Sequence, residues 1–466
     1  MTTVTPRPRS GAVAPAIETP LGETPLGETP LGMAGPPLPA TRRMVVSGGA
    51  RLSGEITVGG AKNAATKMMA SCLLTREPVL LEQVPDIEAV HTQAALLRAL
   101  GVRVELDGAS HRMTLVADHV DGTLLEPELV AKERSAFVLV GPLLARTGEV
   151  MTGMPGGCKI GARPVNVGVR GLEALGVETQ HVDGTYYFRT NGLRGARIYL
   201  DYPSHTGTEN LIMAACLANG TTVIKNAACE PEVVALAEHL NRMGAIIRGA
   251  GTPKIEIIGV AGLHGARTRI MPDRIEAGSF AIATAATGGD VVIRNVVPEH
   301  LDGVVHKLRD AGAEVFESDD AIRVWRQGPL RAVEVQAIHY PGFPTDLQTP
   351  FCALLTQARG ESVLQERVFE DRFTYVEQLR KLGARIETNG EGGTAVHATR
   401  AYVHGPSPLR GTAVRALDLR SGIALIIAGL VAEGSTAIAD FFHAERGYED
   451  LTGRLRALGG ELCAQE

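Results

Sequence analysis

"LLRALGVRVEL", Leu96 to Leu106, reads as the end of an amphipathic helix, a glycine, and the start of an alternating strand. The phrase returns as "GLEALGVETQ" from Gly171, "HLNRMGAIIRG" from His239, "KLRDAGAEVFE" from Lys307, "QLRKLGARIET" from Gln378 and "RLRALGGELCA" from Arg454. The step glycines are Gly101, Gly176, Gly244, Gly312, Gly383 and Gly459, spaced by 75, 68, 68, 71 and 76 residues. A glycine just past a helix is a C-terminal cap, because it takes a left-handed backbone without a Cβ clash. A period this regular predicts six structural units of one design.

Each unit carries a second helix, rich in alanine: "AATKMMASCLL", "FVLVGPLLA", "TENLIMAACLANG", "SFAIATAATGG", "PFCALLTQARG" and "GIALIIAGLVAEG". Strands such as "TTVIKNA", "DVVIRNV" and "STAIADF" follow. A helix apolar on nearly all faces is a buried one. The pattern predicts apolar helices inside, with strands and amphipathic helices outside, in two globular domains; a chain of 466 residues is long enough for both cores.

Composition excludes several classes. With 46 basic against 52 acidic residues the formal charge is −6, which argues against bulk attraction to nucleic acid or an anionic membrane. Any anionic ligand must be held by locally placed cations. The longest apolar runs, such as "GIALIIAGLVA" from Gly422, fall short of the roughly 20 residues that cross a bilayer. No secretory signal opens the chain, so the expected compartment is the cytoplasm. The six cysteines, Cys72, Cys158, Cys216, Cys229, Cys352 and Cys463, are scattered and show neither CxxC pairs nor zinc spacing, so no metal is expected. Residues 1–43, with three copies of "ETPLG" in a Pro-rich setting, read as a disordered leader.

The six units, together with "GGAKNAA" at Gly59, "PGGCKIGARP" at Pro155, "EPE" at Glu230, "PDRIEAGSF" at Pro272, "FPTDLQ" at Phe343, "VFEDRF" at Val368, "DLR" at Asp418 and "ERGYE" at Glu445, resemble the enolpyruvyl transferases. The likeness spans Met44 to Glu466 and is greatest to the branch that acts on UDP-N-acetylglucosamine. It implies an α/β fold of two inside-out (inverse) α/β-barrel domains, each of three units, with the active site in the cleft between them. One domain is expected at 62–271, the other at 44–61 plus 272–466.

The implied reaction moves the enolpyruvyl group of phosphoenolpyruvate to the 3-hydroxyl of UDP-N-acetylglucosamine and releases phosphate, the committed step of peptidoglycan synthesis. No cofactor is implied, since carbon–oxygen rather than phosphoryl chemistry is involved; no GxxxxGK[ST] loop and no Rossmann fingerprint occurs between a strand and a helix. Phosphoenolpyruvate carries two anionic groups, which call for fixed cations. Lys62, Arg163 and Arg446 match the family positions around it, and Arg134 and Arg420 match two more near the cleft. Addition across the enol needs a general acid and a general base. Cys158, beside Lys159 and Arg163 in a Gly-rich loop that reads as a lid, has its thiolate favoured; in the family this cysteine is the proton donor and the target of fosfomycin. Asp346 matches the base at the sugar hydroxyl, although "PTD" also reads as a helix N-cap. Asn63 matches the residue that positions both substrates, with Pro164, Val165, Asn166, Val167, Tyr202, Pro203, Ser204, His205 and Val368 at further substrate positions.

The departures fall in nucleotide recognition. Gly168 stands where the family has histidine, Asn166 where an acid is frequent, and Tyr202 where some members have lysine; Ser204 to Thr208, "SHTGT", replaces the commoner "SVGAT". His205 either bonds a diphosphate oxygen or caps the following helix. Two other readings therefore stand beside the first: a paralogue using another nucleotide or sugar, and a binding protein without turnover.

Overall fold

The computed structural model describes residues 43–156 and 165–465. The "ETPLG" leader and the stretch with Cys158, Arg163 and Pro164 lie outside them. All six step glycines take positive φ, between +89° and +99°. Each cap has the same form: the Gly101 N–H donates to the Arg98 carbonyl and the Val102 N–H to that of Leu97, both at 3.0 Å. This paired return satisfies carbonyls that the helix end leaves open, and it aims the next strand back along the helix.

The alanine-rich segments form six inner helices: α1 (Lys62–Ala70), α2 (Val140–Thr147), α3 (His205–Ala215), α4 (Arg274–Thr287), α5 (Thr345–Leu355) and α6 (Leu419–Val431). From Ala277 to Ala286 every residue of α4 is buried, and so is every residue of α6 from Leu419 to Leu430. Helices α4, α5 and α6 pack on one another, and α2 packs on α3. Six separate sheets cover them, and the described strands form no closed barrel. In five sheets three antiparallel strands carry a fourth, parallel one; Thr221–Lys225, for example, pairs antiparallel with Lys254–Ile258 and parallel with Arg197–Tyr199. The sixth sheet has three strands, and its parallel place is taken by the bridge from Leu124 to Met151. Burial alternates along Thr221–Lys225 and Asp290–Arg294, as the sequence period requires.

The apolar side chains divide into two cores. One gathers residues from Ala61 to Ile270; the other joins Met44 to Val58 with Ile275 to Leu462. Strand Arg43–Ser47 lies between Ser435–Ala439 and Glu461–Gln465, antiparallel to both, and Ser53–Thr57 runs parallel to Asp290–Arg294. The chain thus passes twice between the cores, and the two passages pair: Gly60 bridges Pro272, the Ala61 N–H donates to the Met271 carbonyl and the Asp273 N–H to that of Gly59. A Cβ on Gly60 would lie 1.8 Å from the Gln83 carbonyl oxygen, so this approach admits only glycine. No helix among the described residues is long and apolar enough to cross a membrane.

Candidate active site

A cavity of about 550 Å³ lies where the first turns of the inner helices meet. Lys62 and Asn63 come from α1, Ser204 and His205 from the start of α3, Arg274 and Ile275 from α4, Thr345 and Asp346 from α5, Leu419 and Arg420 from α6. Arg134 opens the 3-10 turn Arg134–Leu139 that runs into α2. Helix N-termini present the positive ends of their dipoles, so this common point favours anions before any side chain is counted. The side chains add to the same sign.

Asp346 is the second residue of α5, and its carboxylate is held on both sides. Arg372 Nη2 donates to Oδ1 at 3.0 Å and Arg420 Nη2 to Oδ2 at 2.8 Å. Burial would raise its pKa, but the charges of Arg420 and Arg372 win and hold it far below the usual carboxylate range. Arg420 is fixed in turn: Nη1 donates to the Tyr448 hydroxyl at 3.0 Å, which is 2.8 Å from the Ser279 hydroxyl on α4. Lys62 is placed through its backbone, whose N–H donates to Asp273 Oδ2 at 3.0 Å, while Asp273 Oδ1 caps α4 at Ile275 and Glu276. One aspartate therefore ties the starts of α1 and α4 together at the point where the chain crosses.

Arg446 donates to the Lys132 carbonyl and, at 3.1 Å, to Glu133 Oε2. Burial opposes ionisation of Glu133, but Lys62 and Arg446 outweigh it and its pKa is lowered. Further along the wall, Glu209 on α3 is fully buried and paired with Lys67 of α1 at 3.6 Å and His205 at 3.1 Å. Behind them Arg274 makes two bonds to the buried Glu232, at 3.0 and 3.2 Å; burial would raise the Glu232 pKa, but the Arg274 charge outweighs it and the pKa falls to about 2. Glu230 lies 3.9 Å from His339.

Of the residues expected at a site, Lys62, Asn63, Arg134, Asn166, Val167, Tyr202, Ser204, His205, Asp346, Val368, Arg420 and Arg446 line this one cavity. Val165 and Pro203 do not line it; Val165 is buried beside it. Cys158, Arg163 and Pro164 fall outside the described residues. Two cap readings are corrected. Asp346 caps nothing, since Pro344 is the N-cap of α5 and the carboxylate turns to the two arginines instead. His205 does not cap α3, because Ser204 does so, accepting from the Gly207 N–H at 3.1 Å. The Gly168 departure also has a physical setting: a Cβ there would lie 3.7 Å from the Gly207 Cα and 4.0 Å from the Phe137 ring, so a longer side chain must thread between helices. Tyr202 crosses between the cores, its hydroxyl donating to the Val368 carbonyl at 3.2 Å and its ring edge-on to His339.

Sequence reasoning missed Lys67, Glu133, Glu209, Arg274 and Arg372. A lone charge in an otherwise apolar helix was the available signal: Lys67 in "AATKMMASCLL" and Glu209 in "TENLIMAACLANG" are opposite charges in buried helices, where neither is stable alone. Cys72, Cys216 and Cys352 are buried, and burial pushes the Cys216 and Cys352 thiols up to about 12, out of reach of nucleophilic chemistry.

A family model described as EPSP synthase (3-phosphoshikimate 1-carboxyvinyltransferase) matches residues 46–455. The chain is 44% identical over 415 residues to a UDP-N-acetylglucosamine 1-carboxyvinyltransferase of Finegoldia magna, covering 88% of this chain and 96% of that one. A protein of the same name from Koribacter versatilis is 45% identical over 422 residues, 90% and 96% of the two chains. Among solved structures, the enolpyruvyl transferase NikO from Streptomyces tendae superposes with a TM-score of 0.79 at 27% identity, over 92% of this chain and 99% of its own. EPSP synthase from Acinetobacter baumannii shares the fold, with a TM-score of 0.69 at 18% identity over 91% and 100%.

Proposed function

The chain belongs to the EPSP synthase family of enolpyruvyl transferases, and we propose from that premise that it is a UDP-N-acetylglucosamine 1-carboxyvinyltransferase working in the cytoplasm on the route to peptidoglycan. The observation that carries this reading is one anion-favouring cavity in which Lys62, Arg420, Arg446 and the doubly paired Asp346 stand together. The division into domains at 61/62 and 271/272 is part of the same proposal, with the substrates held between the two cores.

Phosphoenolpyruvate brings a carboxylate and a phosphate to the described cations Lys62, Arg134, Arg372, Arg420 and Arg446, with Arg163 as a further one. The sugar 3-hydroxyl attacks C2 of the enol while C3 takes a proton from Cys158; the tetrahedral ketal then loses phosphate as C3 gives a proton back. Asp346 accepts the hydroxyl proton. A carboxylate held this far down is a weak base towards a resting alcohol. As the new carbon–oxygen bond forms, however, the attacking oxygen becomes oxonium-like and strongly acidic, and then a weak, well-oriented base is enough. The two arginines keep Asp346 ionised and fix its direction, so base strength is traded for geometry.

The test is phosphate release with phosphoenolpyruvate, with and without UDP-N-acetylglucosamine, before and after fosfomycin. Acceptor-dependent release that fosfomycin blocks, and that Cys158→Ser abolishes, is expected. Release only with another acceptor identifies a paralogue, and binding of both substrates without release removes the enzymatic reading.

A further inference from the structure

Outside the cavity, the six sheets offer an internal comparison, because each is the outer layer of the same repeated unit. On two of them the outward arginines are neutralised in place: Arg323 meets Asp290 and Arg294 meets Glu55, while Arg267 meets Glu82 and Arg103 meets Asp118. On a third, Arg189 stands directly opposite both Glu149 and Glu178. The sheet ordered Ile246–Arg248, Lys254–Ile258, Thr221–Lys225, Arg197–Tyr199 departs from that rule. Its outward charges are Arg197, Lys225, Arg248 and Lys254 against Glu256 alone, a local balance of +3. All four cations are exposed, and none makes an ion pair or a side-chain hydrogen bond among the described residues.

This arrangement costs stability and returns none. Lys225 and Lys254 are directly opposite each other, and like charges facing across a ladder repel. Lysines on edge strands guard against unwanted pairing, but these two stand on the two central strands, where no edge needs guarding. Next to Lys225 in the same row is Tyr199, which is 70% exposed. Arg197 and Arg248 hold the two ends of the adjoining row, three strand spacings or about 14 Å apart. Side chains on the outer face of a sheet stand side by side and roughly perpendicular to it, so they offer a broad surface rather than a groove. The cations are thus spread in two dimensions, whereas an extended acidic peptide would call for a single line of them.

We propose that the outer face of this sheet is a docking surface for an anionic lipid bilayer, its four unpaired cations meeting headgroup phosphates and Tyr199 lying at headgroup level. Charge complementarity carries the choice of partner, and an exposed tyrosine beside lysine suits the boundary between water and lipid. The overall charge of −6 does not oppose it. Screening acts within about 8 Å at physiological salt, so a surface laid on this face senses the local cations and not the acids of the far side. The docking goes beyond the transfer reaction and does not depend on it, since the site cavity does not reach these residues.

Co-sedimentation of the full chain with vesicles tests this, using phosphatidylglycerol and phosphatidylcholine in equal parts against phosphatidylcholine alone. The natural protein should sediment with the anionic vesicles only, and should be released as salt rises from about 0.1 M to about 1 M. Each cation near such a surface contributes about fivefold, so Lys225→Ala with Lys254→Ala should weaken binding about 25-fold. Arg294→Ala with Arg323→Ala removes the same charge from a sister sheet and should leave binding within about twofold. A thermal melt checks that the variants fold; should the lysine pair fail it, Arg197→Ala with Arg248→Ala reads the same face. Absence of sedimentation in the natural protein, or equal weakening in the two double variants, overturns the proposal. Binding to polyglutamate or single-stranded DNA but not to the anionic vesicles also overturns it, and assigns the face to an acidic protein or a nucleic acid instead.

Discussion

At one end of the cavity Lys62, Arg372, Arg420 and Arg446 face two carboxylates, Glu133 and Asp346; at the other Lys67 and Arg274 face three, Glu209, Glu230 and Glu232, with His205 and His339 among them. The first end is cationic at any pH near neutrality, because arginine does not lose its proton there. The second depends on His205: with it neutral, two cations face three carboxylates, and with it charged the two signs balance. The same materials, helix N-termini and buried ion pairs, thus give a fixed trap at one end and an adjustable one at the other. A fixed trap suits a small dianion on which chemistry is done. An adjustable one suits recognition, where the choice between ligands matters more than holding force.

The comparison is most exposed at Asp346. Asp346→Asn should lower kcat by about 10³, the scale of a lost general base, with UDP-N-acetylglucosamine affinity changed less than about tenfold; steady-state kinetics beside calorimetry would separate the two. A similar fall in both would mean the two ends are not separate. Second in size is the pair behind His205. Lys67→Met leaves a buried carboxylate with a single partner and should cost about 3–5 kcal/mol in urea unfolding, whereas Lys67→Met with Glu209→Leu should recover most of it.

pH comes next. Burial would lower the pKa of His205, but Glu209 raises it above the ordinary 6.5. Its pairing with Glu209 is therefore complete below that value and fades as pH climbs through the raised one. The KM for the acceptor should rise several-fold on the alkaline side, while the KM for phosphoenolpyruvate stays level and Asp346 adds no acid limb to kcat above the range where the protein itself unfolds. Last, Tyr202→Phe removes the bond to the Val368 carbonyl and keeps the ring on His339, so a loss of about 1 kcal/mol in acceptor binding is expected.

The two ends also differ in how far the sequence exposed them. The step glycines were readable because a left-handed cap is a local demand that only one residue meets cheaply, and all six are left-handed. Lys62, Asp346, Arg420 and Arg446 were readable because each lies in a short family word, and the cavity gathers them. Lys67 and Glu209 were not, because their meaning lies in a pairing between α1 and α3 that no local pattern reports. The cap readings of Asp346 and His205 failed for a related reason: the residue type fits a cap, but a neighbouring residue, Pro344 or Ser204, already held the place. Position within a turn is settled by one residue of register, finer than composition can give.

Strand Arg43–Ser47 lies between Ser435–Ala439 and Glu461–Gln465. Read along the direction of synthesis, it is among the first parts of the fold to be made and among the last to be paired. The core spanning Ala61 to Ile270 is contiguous and can close while the ribosome is still at work on the rest. The other core cannot: its opening strand waits, with its hydrogen-bonding edges open, until residues 461–465 arrive. The double crossing that brings the two helix triads to one cavity thus also sets an order of assembly, in which the adjustable wall around His205 and Glu209 exists before the Asp346 wall that completes it.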